Sequence, residues 1–118
     1  MSVKEVMRKV KELQYDPLNL SDEEYSLFRR ATDLKNYEGK LVKHFKGKCY
    51  LILGIAEHTE TGEDLVMYKA MYGDYKKYVR PIDMFLSKVD KVKYPDAKQK
   101  YRMEFIELTE EQEEKGGN

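Results

Sequence analysis

The sequence has one cysteine, two histidines and three prolines, lacks tryptophan, and contains no long apolar segment. Its single cysteine, Cys49, excludes a disulfide within the chain and any zinc site built from several cysteines. The longest apolar run, residues 49–56, is too short to cross a bilayer as a helix. The first ten residues lack the apolar block of a signal peptide. We therefore expect a cytoplasmic protein that does not enter a membrane.

The charge is neutral overall but uneven along the chain. The sequence contains 22 lysines and arginines against 22 aspartates and glutamates. Residues 40–100 carry 13 basic and 8 acidic side chains, whereas residues 101–118 carry 2 basic and 6 acidic ones. This modest basic excess is weak for nucleic-acid binding, which depends on a strongly basic surface. We therefore expect no nucleic-acid partner. The same basic excess suits a local pocket for a small anion.

Two amphipathic helices are predicted in residues 1–38. Residues 3–13 place apolar side chains at helical spacing, and Asp16-Pro17 ends that pattern. Ser21 and Glu24 have the spacing of a capping box at the start of a second helix. We expect this helical pair either to cover a sheet or to form a homodimer interface.

Residues 39–108 have the alternation and turn residues of short strands. The candidate strands lie within residues 40–47, 48–58, 63–73, 78–81 and 100–108. One helical turn is predicted after Pro81, and a turn at residues 59–62 uses Gly62 at positive φ. The fold class is therefore α+β, with two N-terminal helices followed by a small, strongly bent antiparallel sheet or an SH3-like barrel of four to five strands. The acidic tail, residues 109–118, is predicted to be disordered.

A series of ordered motifs runs through residues 39–90. The motifs are His44-Phe45-Lys46-Gly47, Leu53-Gly54, His58-Thr59-Glu60-Thr61, Tyr68, Met71-Tyr72-Gly73, Tyr78-Val79-Arg80-Pro81 and Met84-Phe85. This series closely resembles the bacterial and phage family known as domain of unknown function 1653. The resemblance implies a compact β-rich domain and brings no established activity. Tyr78 stands where the family has a tryptophan, and the N-terminal helical pair lies outside the resemblance.

The two histidines are candidates for a ligand site. His44 shares a strand face with Val42 and Lys46, and His58 lies near the end of the next strand, two residues before Glu60. Two histidines and a carboxylate can form a metal-binding triad. Because no His-x-His or His-x-x-x-His spacing supports such a triad, we predict neither a metal nor a cofactor. The alternative for His58 is a turn cap that bonds to the backbone, with Glu60 in solvent.

Arg80 is the candidate for anion recognition. Pro81 follows it and favours an extended backbone at Arg80. The planar guanidinium group can then bind a phosphate or a carboxylate through paired hydrogen bonds. The alternative is a structural salt bridge to Glu57, Glu60 or Asp83.

The tyrosines of the third strand are candidates for stacking. Tyr68 and Tyr72 share one strand parity, whereas Met67 and Met71 share the other. One parity should face the core, and the other can line a groove or stack on a ligand. We expect the methionine parity to face the core, which leaves the tyrosines for the ligand.

These candidates favour a non-enzymatic module that binds a small anionic or nucleotide-like ligand, with sequestration of a nucleotide signal as one form of this function. The predicted ligand-binding residues are His44, Lys46, His58, Glu60, Tyr68, Tyr72 and Arg80. The alternative is a protein-interaction or regulatory domain that uses an aromatic groove. An enzyme with His44 or His58 as general base beside Glu60 is less favoured, since no nucleophile or metal motif accompanies these residues, and we assign no catalytic residue.

Overall fold

The computed structural model describes residues 1–12 and 19–106 of the chain. Its elements in chain order are α1 (Val3–Glu12), α2 (Asp22–Lys35), β1 (Leu41–His44), β2 (Cys49–Glu57), β3 (Asp64–Ala70), β4 (Lys77–Pro81), α3 (Ile82–Phe85) and β5 (Met103–Phe105). Among the described residues the strands form one antiparallel sheet in the order β4-β3-β2-β1-β5. The outer strands β4 and β5 are not neighbours, so the sheet is open and does not close into a barrel. The predicted α+β class is confirmed.

Helix α2 begins where the capping-box pattern predicts. The Ser21 hydroxyl accepts a hydrogen bond from the Glu24 backbone N–H at 3.1 Å, and the Glu24 carboxylate accepts one from the Ser21 backbone N–H at 3.0 Å. Lys9 of α1 donates to both oxygens of the same carboxylate at 2.9 Å. The Lys9 hydrogen bond, followed by the Ser21 backbone bond, lowers the pKa of Glu24 to about 2. One carboxylate therefore caps α2 and joins it to α1.

The predicted end of α1 at Asp16-Pro17 and the acidic tail lie outside the described residues.

All three helices cover the same face of the sheet. Their buried residues and those of the covered strand face form one core, which includes Val3, Val6, Val10, Leu27, Ala31, Leu34, Val42, Ile52, Val66, Ile82, Phe85 and Met103. Each buried valine of α1 contributes about 1.5 to 3 kcal/mol relative to an exposed one. The helical pair thus covers the sheet, the first of the two predicted roles. Its role in a homodimer stays a prediction.

A β-bulge in β2 keeps its isoleucines on the covered face. Ile52 pairs with Tyr68, and Ile55 pairs with Val66. Between these pairs, β2 has two residues, at positions 53 and 54, where β3 has one. Gly54 lies in the bulge with φ +152, a conformation that residues with a side chain rarely adopt. Beyond the bulge the strand runs to the β2–β3 turn, far from the β1–β2 turn.

None of the helices in the described part of the chain is both long and apolar enough to cross a membrane.

Candidate functional site

The tyrosine parity of β3, rather than the methionine parity, faces the core. Val66 is fully buried and Tyr68 is 5% exposed, whereas Met67 is half-buried and Met71 is 43% exposed. The Tyr68 ring packs edge-on against Phe85 of α3, with ring centroids 5.3 Å apart. The expectation that the methionines face the core is wrong, because the helices pack on the other face of the sheet. Tyr68 is therefore a buried residue at the base of the candidate site.

Four tyrosines and one arginine meet at the end of the covered face nearest the β1–β2 and β3–β4 turns. We call this the tyrosine–arginine surface; it consists of Tyr50, Tyr68, Tyr72, Tyr78 and Arg80. The Tyr50 ring lies edge-on to Tyr68 at 5.3 Å and to Tyr72 at 5.6 Å, and Tyr78 lies 5.7 Å from Tyr68. Tyr72 and Tyr78 are 37% and 41% exposed. The surface therefore offers aromatic rings to solvent on a buried aromatic base.

Arg80 is held in this surface by a single hydrogen bond. Its Nε donates to the Tyr68 hydroxyl at 3.3 Å. Within residues 1–12 and 19–106, Arg80 forms no salt bridge, so the predicted alternative of a bond to Glu57, Glu60 or Asp83 is not formed. Its two terminal nitrogens make no hydrogen bond to any described residue, and both are obligate donors. They are available to an anion.

The tyrosine–arginine surface contains a pair of hydrogen-bonded phenols. The hydroxyls of Tyr50 and Tyr72 lie 2.8 Å apart and share a hydrogen bond. Burial, and then the hydrogen bond with Tyr72, raise the pKa of Tyr50. The Lys48 ammonium lies 5.0 Å from the centre of the exposed Tyr72 ring. The Tyr50 phenol therefore remains protonated at neutral pH, and a cation lies beside its partner Tyr72.

His44 lies next to the tyrosine–arginine surface. Its ring centroid is 6.4 Å from that of Tyr50, and its Nδ1 accepts a hydrogen bond from the Lys46 backbone N–H at 3.1 Å. Burial lowers the pKa of His44, and the charges of Arg102, Lys46 and Arg80 lower it further. The neutral ring consequently carries its proton on Nε2. Of the predicted ligand-binding residues, His44, Lys46, Tyr68, Tyr72 and Arg80 lie in one region.

His58 and Glu60 lie at the opposite end of β2 from His44. His58 Nδ1 accepts hydrogen bonds from the backbone N–H groups of Glu60 at 3.1 Å and Thr61 at 3.3 Å. These are the contacts of the predicted turn cap, and Glu60 is exposed. The nine residues of β2 place the two histidines roughly 25 to 30 Å apart. Among the described residues no three His, Cys, Asp or Glu side chains form a potential metal site, so the triad considered from the sequence is not assembled.

Two residues of this region were missed in the sequence. Tyr50 pairs with Ala70 across β2 and β3, and this register depends on tertiary structure. Its position two residues before Ile52 is the signal that places it on the same strand face. Arg102 lies just before β5, whose pairing with β1 brings it near His44. No local pattern marks Arg102.

Comparison with known proteins identifies related sequences and a related structure. The sequence profile of the family described as "Protein of unknown function (DUF1653)" matches residues 40–105, beyond the segment that carries the motifs. A crystal structure of a DUF1653 protein from Bordetella bronchiseptica is similar, with a TM-score of 0.51 and 24% identity, over 64% of this chain and 95% of that chain. At this identity the similarity concerns the fold alone. No curated protein matches the chain.

Proposed function

The chain belongs to the family described as "Protein of unknown function (DUF1653)", and on that premise we propose that it is a non-enzymatic binding module for a small anionic or nucleotide-like ligand. The observation that carries the proposal is the Arg80 guanidinium, which Tyr68 holds at Nε and which has no acidic partner in the described part of the chain. Beside it lies the exposed ring of Tyr78. The module acts in the cytoplasm without a cofactor, and it sequesters a nucleotide signal.

The groups of the tyrosine–arginine surface suit the two halves of a nucleotide. A planar base can stack on Tyr78 or Tyr72, and such stacking contributes about 1 to 3 kcal/mol. A phosphate can accept hydrogen bonds from the two free nitrogens of Arg80, at about 1.5 to 3 kcal/mol each. These contacts amount to roughly 4 to 9 kcal/mol before the entropic cost of association. Micromolar affinity needs about 8 kcal/mol net, so the ligand requires additional contacts.

Thermal unfolding with a panel of nucleotides tests the proposal. Each of the nucleoside monophosphates, diphosphates, triphosphates and cyclic dinucleotides is added in excess. A ligand at a hundred times its dissociation constant stabilises the protein by about 2.7 kcal/mol, which raises Tm by roughly 10 °C for a chain of this size. Arg80→Ala should abolish the shift. Arg8→Ala, which removes an exposed arginine of α1, is the matched control and should keep the shift.

A second pair of variants tests the aromatic half of the site. Tyr78→Ala should weaken nucleotide binding by about tenfold, because it removes an exposed stacking ring. Tyr25→Ala removes a similarly exposed tyrosine from α2 and should leave binding unchanged. If no nucleotide shifts Tm, or if the Arg80 and Arg8 variants respond alike, the proposal is wrong.

A protein-interaction or regulatory role is the second candidate. The observation that favours it is the exposure of three tyrosines along the β3–β4 hairpin, Tyr72, Tyr75 and Tyr78. Such a surface suits an extended peptide that packs against aromatic side chains. Pull-down of a partner that Tyr72→Ala and Tyr78→Ala release, and that Tyr25→Ala retains, would support this candidate. Partner binding that survives both substitutions would contradict an aromatic groove.

A further inference from the structure

A cleft rich in basic residues lies beside His44, between the β1–β2 turn and the chain that leads into β5. It has a volume of about 280 Å³, and its walls include His44, Lys46, Lys93, Tyr94 and Arg102. We call it the basic cleft. His44 lines the cleft and also lies 6.4 Å from Tyr50. The cleft therefore adjoins the tyrosine–arginine surface at His44.

Several contacts hold the walls of the basic cleft together without a ligand. The Phe45 backbone N–H donates to the Arg102 carbonyl at 3.0 Å, and the Phe45 ring packs 4.9 Å from the Tyr94 ring. The Lys46 ammonium lies 5.1 Å from the centre of the Tyr94 ring. Arg102 Nε donates to the Ser87 hydroxyl at 3.3 Å. The cleft is thus preformed, which reduces the cost of ordering side chains on binding.

The charges of the cleft are unbalanced. Lys46, Lys93 and Arg102 form no salt bridge within the described residues, and the fourth cation, Lys88, pairs with a glutamate of α2 at 3.1 Å. The acidic residue in the lining is Asp90, whose Oδ1 accepts two backbone N–H bonds of its own turn at 3.0 and 3.2 Å. The cleft therefore presents several unpaired cations against one carboxylate that is already hydrogen-bonded.

Two titratable groups report the positive potential in the cleft. Burial, followed by the charges of Arg102 and Lys46, lowers the pKa of His44. The pKa of the Tyr94 phenol is lowered by its hydrogen bond with Lys46 and further by the charge of Lys93. An anion in the cleft would relieve the mutual repulsion of these cations.

We propose that the basic cleft is a phosphate subsite that takes a pyrophosphate-sized group, so that the ligand is a nucleotide with two or more phosphates. This inference rests on the proposed function, because the nucleoside part continues onto the tyrosine–arginine surface. The cleft supplies the additional contacts that micromolar affinity requires. Its cations can donate charge-assisted hydrogen bonds to phosphate oxygens, and the volume accommodates more than one phosphate.

Titration with inorganic pyrophosphate tests the cleft by itself. Isothermal titration calorimetry should show that pyrophosphate binds the wild-type protein and that added salt weakens the binding. The double variant Lys46→Ala/Lys93→Ala should bind pyrophosphate at least about tenfold more weakly, since it loses two charge-assisted contacts. Lys11→Ala/Lys35→Ala removes two exposed lysines from α1 and α2 and should bind as the wild type does. Equal affinities of the two double variants, or no binding of pyrophosphate to the wild type, would overturn the inference.

A nucleoside diphosphate separates this inference from the proposed function. It should bind more tightly than pyrophosphate, and both Arg80→Ala and the cleft double variant should weaken it. If Arg80→Ala weakens nucleotide binding but the cleft variant does not, the subsite is wrong and the proposed function stands. If the cleft variant weakens pyrophosphate binding but the nucleoside adds no affinity and Arg80→Ala has no effect, the proposed function is wrong. The cleft is then a polyphosphate site without a nucleoside part.

Discussion

Replacing Tyr68 by phenylalanine removes one hydroxyl from the tyrosine–arginine surface and leaves the ring in place. The hydroxyl accepts the Nε hydrogen bond of Arg80 at 3.3 Å, while the ring packs 5.3 Å from both Phe85 and Tyr50. A hydrogen bond from a charged donor contributes about 1.5 to 3 kcal/mol when its geometry is good. At this length, with Arg80 partly exposed, we expect Tyr68→Phe to lower the free energy of unfolding by about 1 kcal/mol, or Tm by roughly 4 °C. Urea and thermal unfolding measure both quantities.

The same substitution should also weaken nucleotide binding. Without the hydroxyl, Arg80 must be ordered by the ligand itself, which costs about 0.5 to 1.5 kcal/mol and reduces the affinity about two- to tenfold. The matched control is Tyr25→Phe, whose hydroxyl accepts a hydrogen bond from Arg29 at the same 3.3 Å on the exposed surface of α2. It should change stability by a few tenths of a kcal/mol at most and leave binding unchanged. If the two variants have equal effects on stability and on affinity, Tyr68 does not position Arg80.

Further predictions concern the core, the helix cap and pH. Ser21→Ala should lower the free energy of unfolding in urea by about 1 kcal/mol, because the cap of α2 is lost. Phe85→Ala should lower it by about 3 to 5 kcal/mol, because Phe85 is fully buried. Lys9→Met should raise the pKa of Glu24 from about 2 in a carboxyl NMR titration; the stability linked to this carboxylate is present above the unfolded pKa near 4.3 and is lost as pH falls toward 2. For His44, whose folded pKa is lowered, stability declines as pH falls below about 6.5. A bound phosphate should raise the His44 pKa in an imidazole NMR titration, and the absence of that rise would contradict its place beside the anion.

Local sequence patterns were sufficient to predict the elements of the fold. The spacing of Ser21 and Glu24 located the start of α2, and Pro81 located the start of α3, because caps and prolines act within one turn of the chain. The covered face of the sheet was not predictable in the same way. In β3 both parities carry large apolar side chains, and the choice between Tyr68 and Met67 is made by the helices that pack on one side. The bulge at Gly54 likewise changes which residues of β2 face the core.

The candidate site was predictable one residue at a time and not as an assembly. Arg80 was identified because Pro81 constrains its backbone, but its lack of an acidic partner depends on strands distant in sequence. His58 was treated as a ligand candidate, whereas its Nδ1 is already bonded to the backbone of its own turn. Tyr50 and Arg102 were missed, because only the pairing of β1 with β2 and β5 brings them beside His44. Strand register, rather than residue type, assembles this region.

An amide-resolved NMR titration with a nucleoside diphosphate is the direct test of a ligand site at the tyrosine–arginine surface. We expect saturable chemical-shift changes at Tyr50, Tyr72, Tyr78 and Arg80 and in the walls of the basic cleft, with none at His58 in the β2–β3 turn. Changes that centre on the β2–β3 turn, or a spectrum that does not change at saturating nucleotide, would contradict a ligand site at the tyrosine–arginine surface.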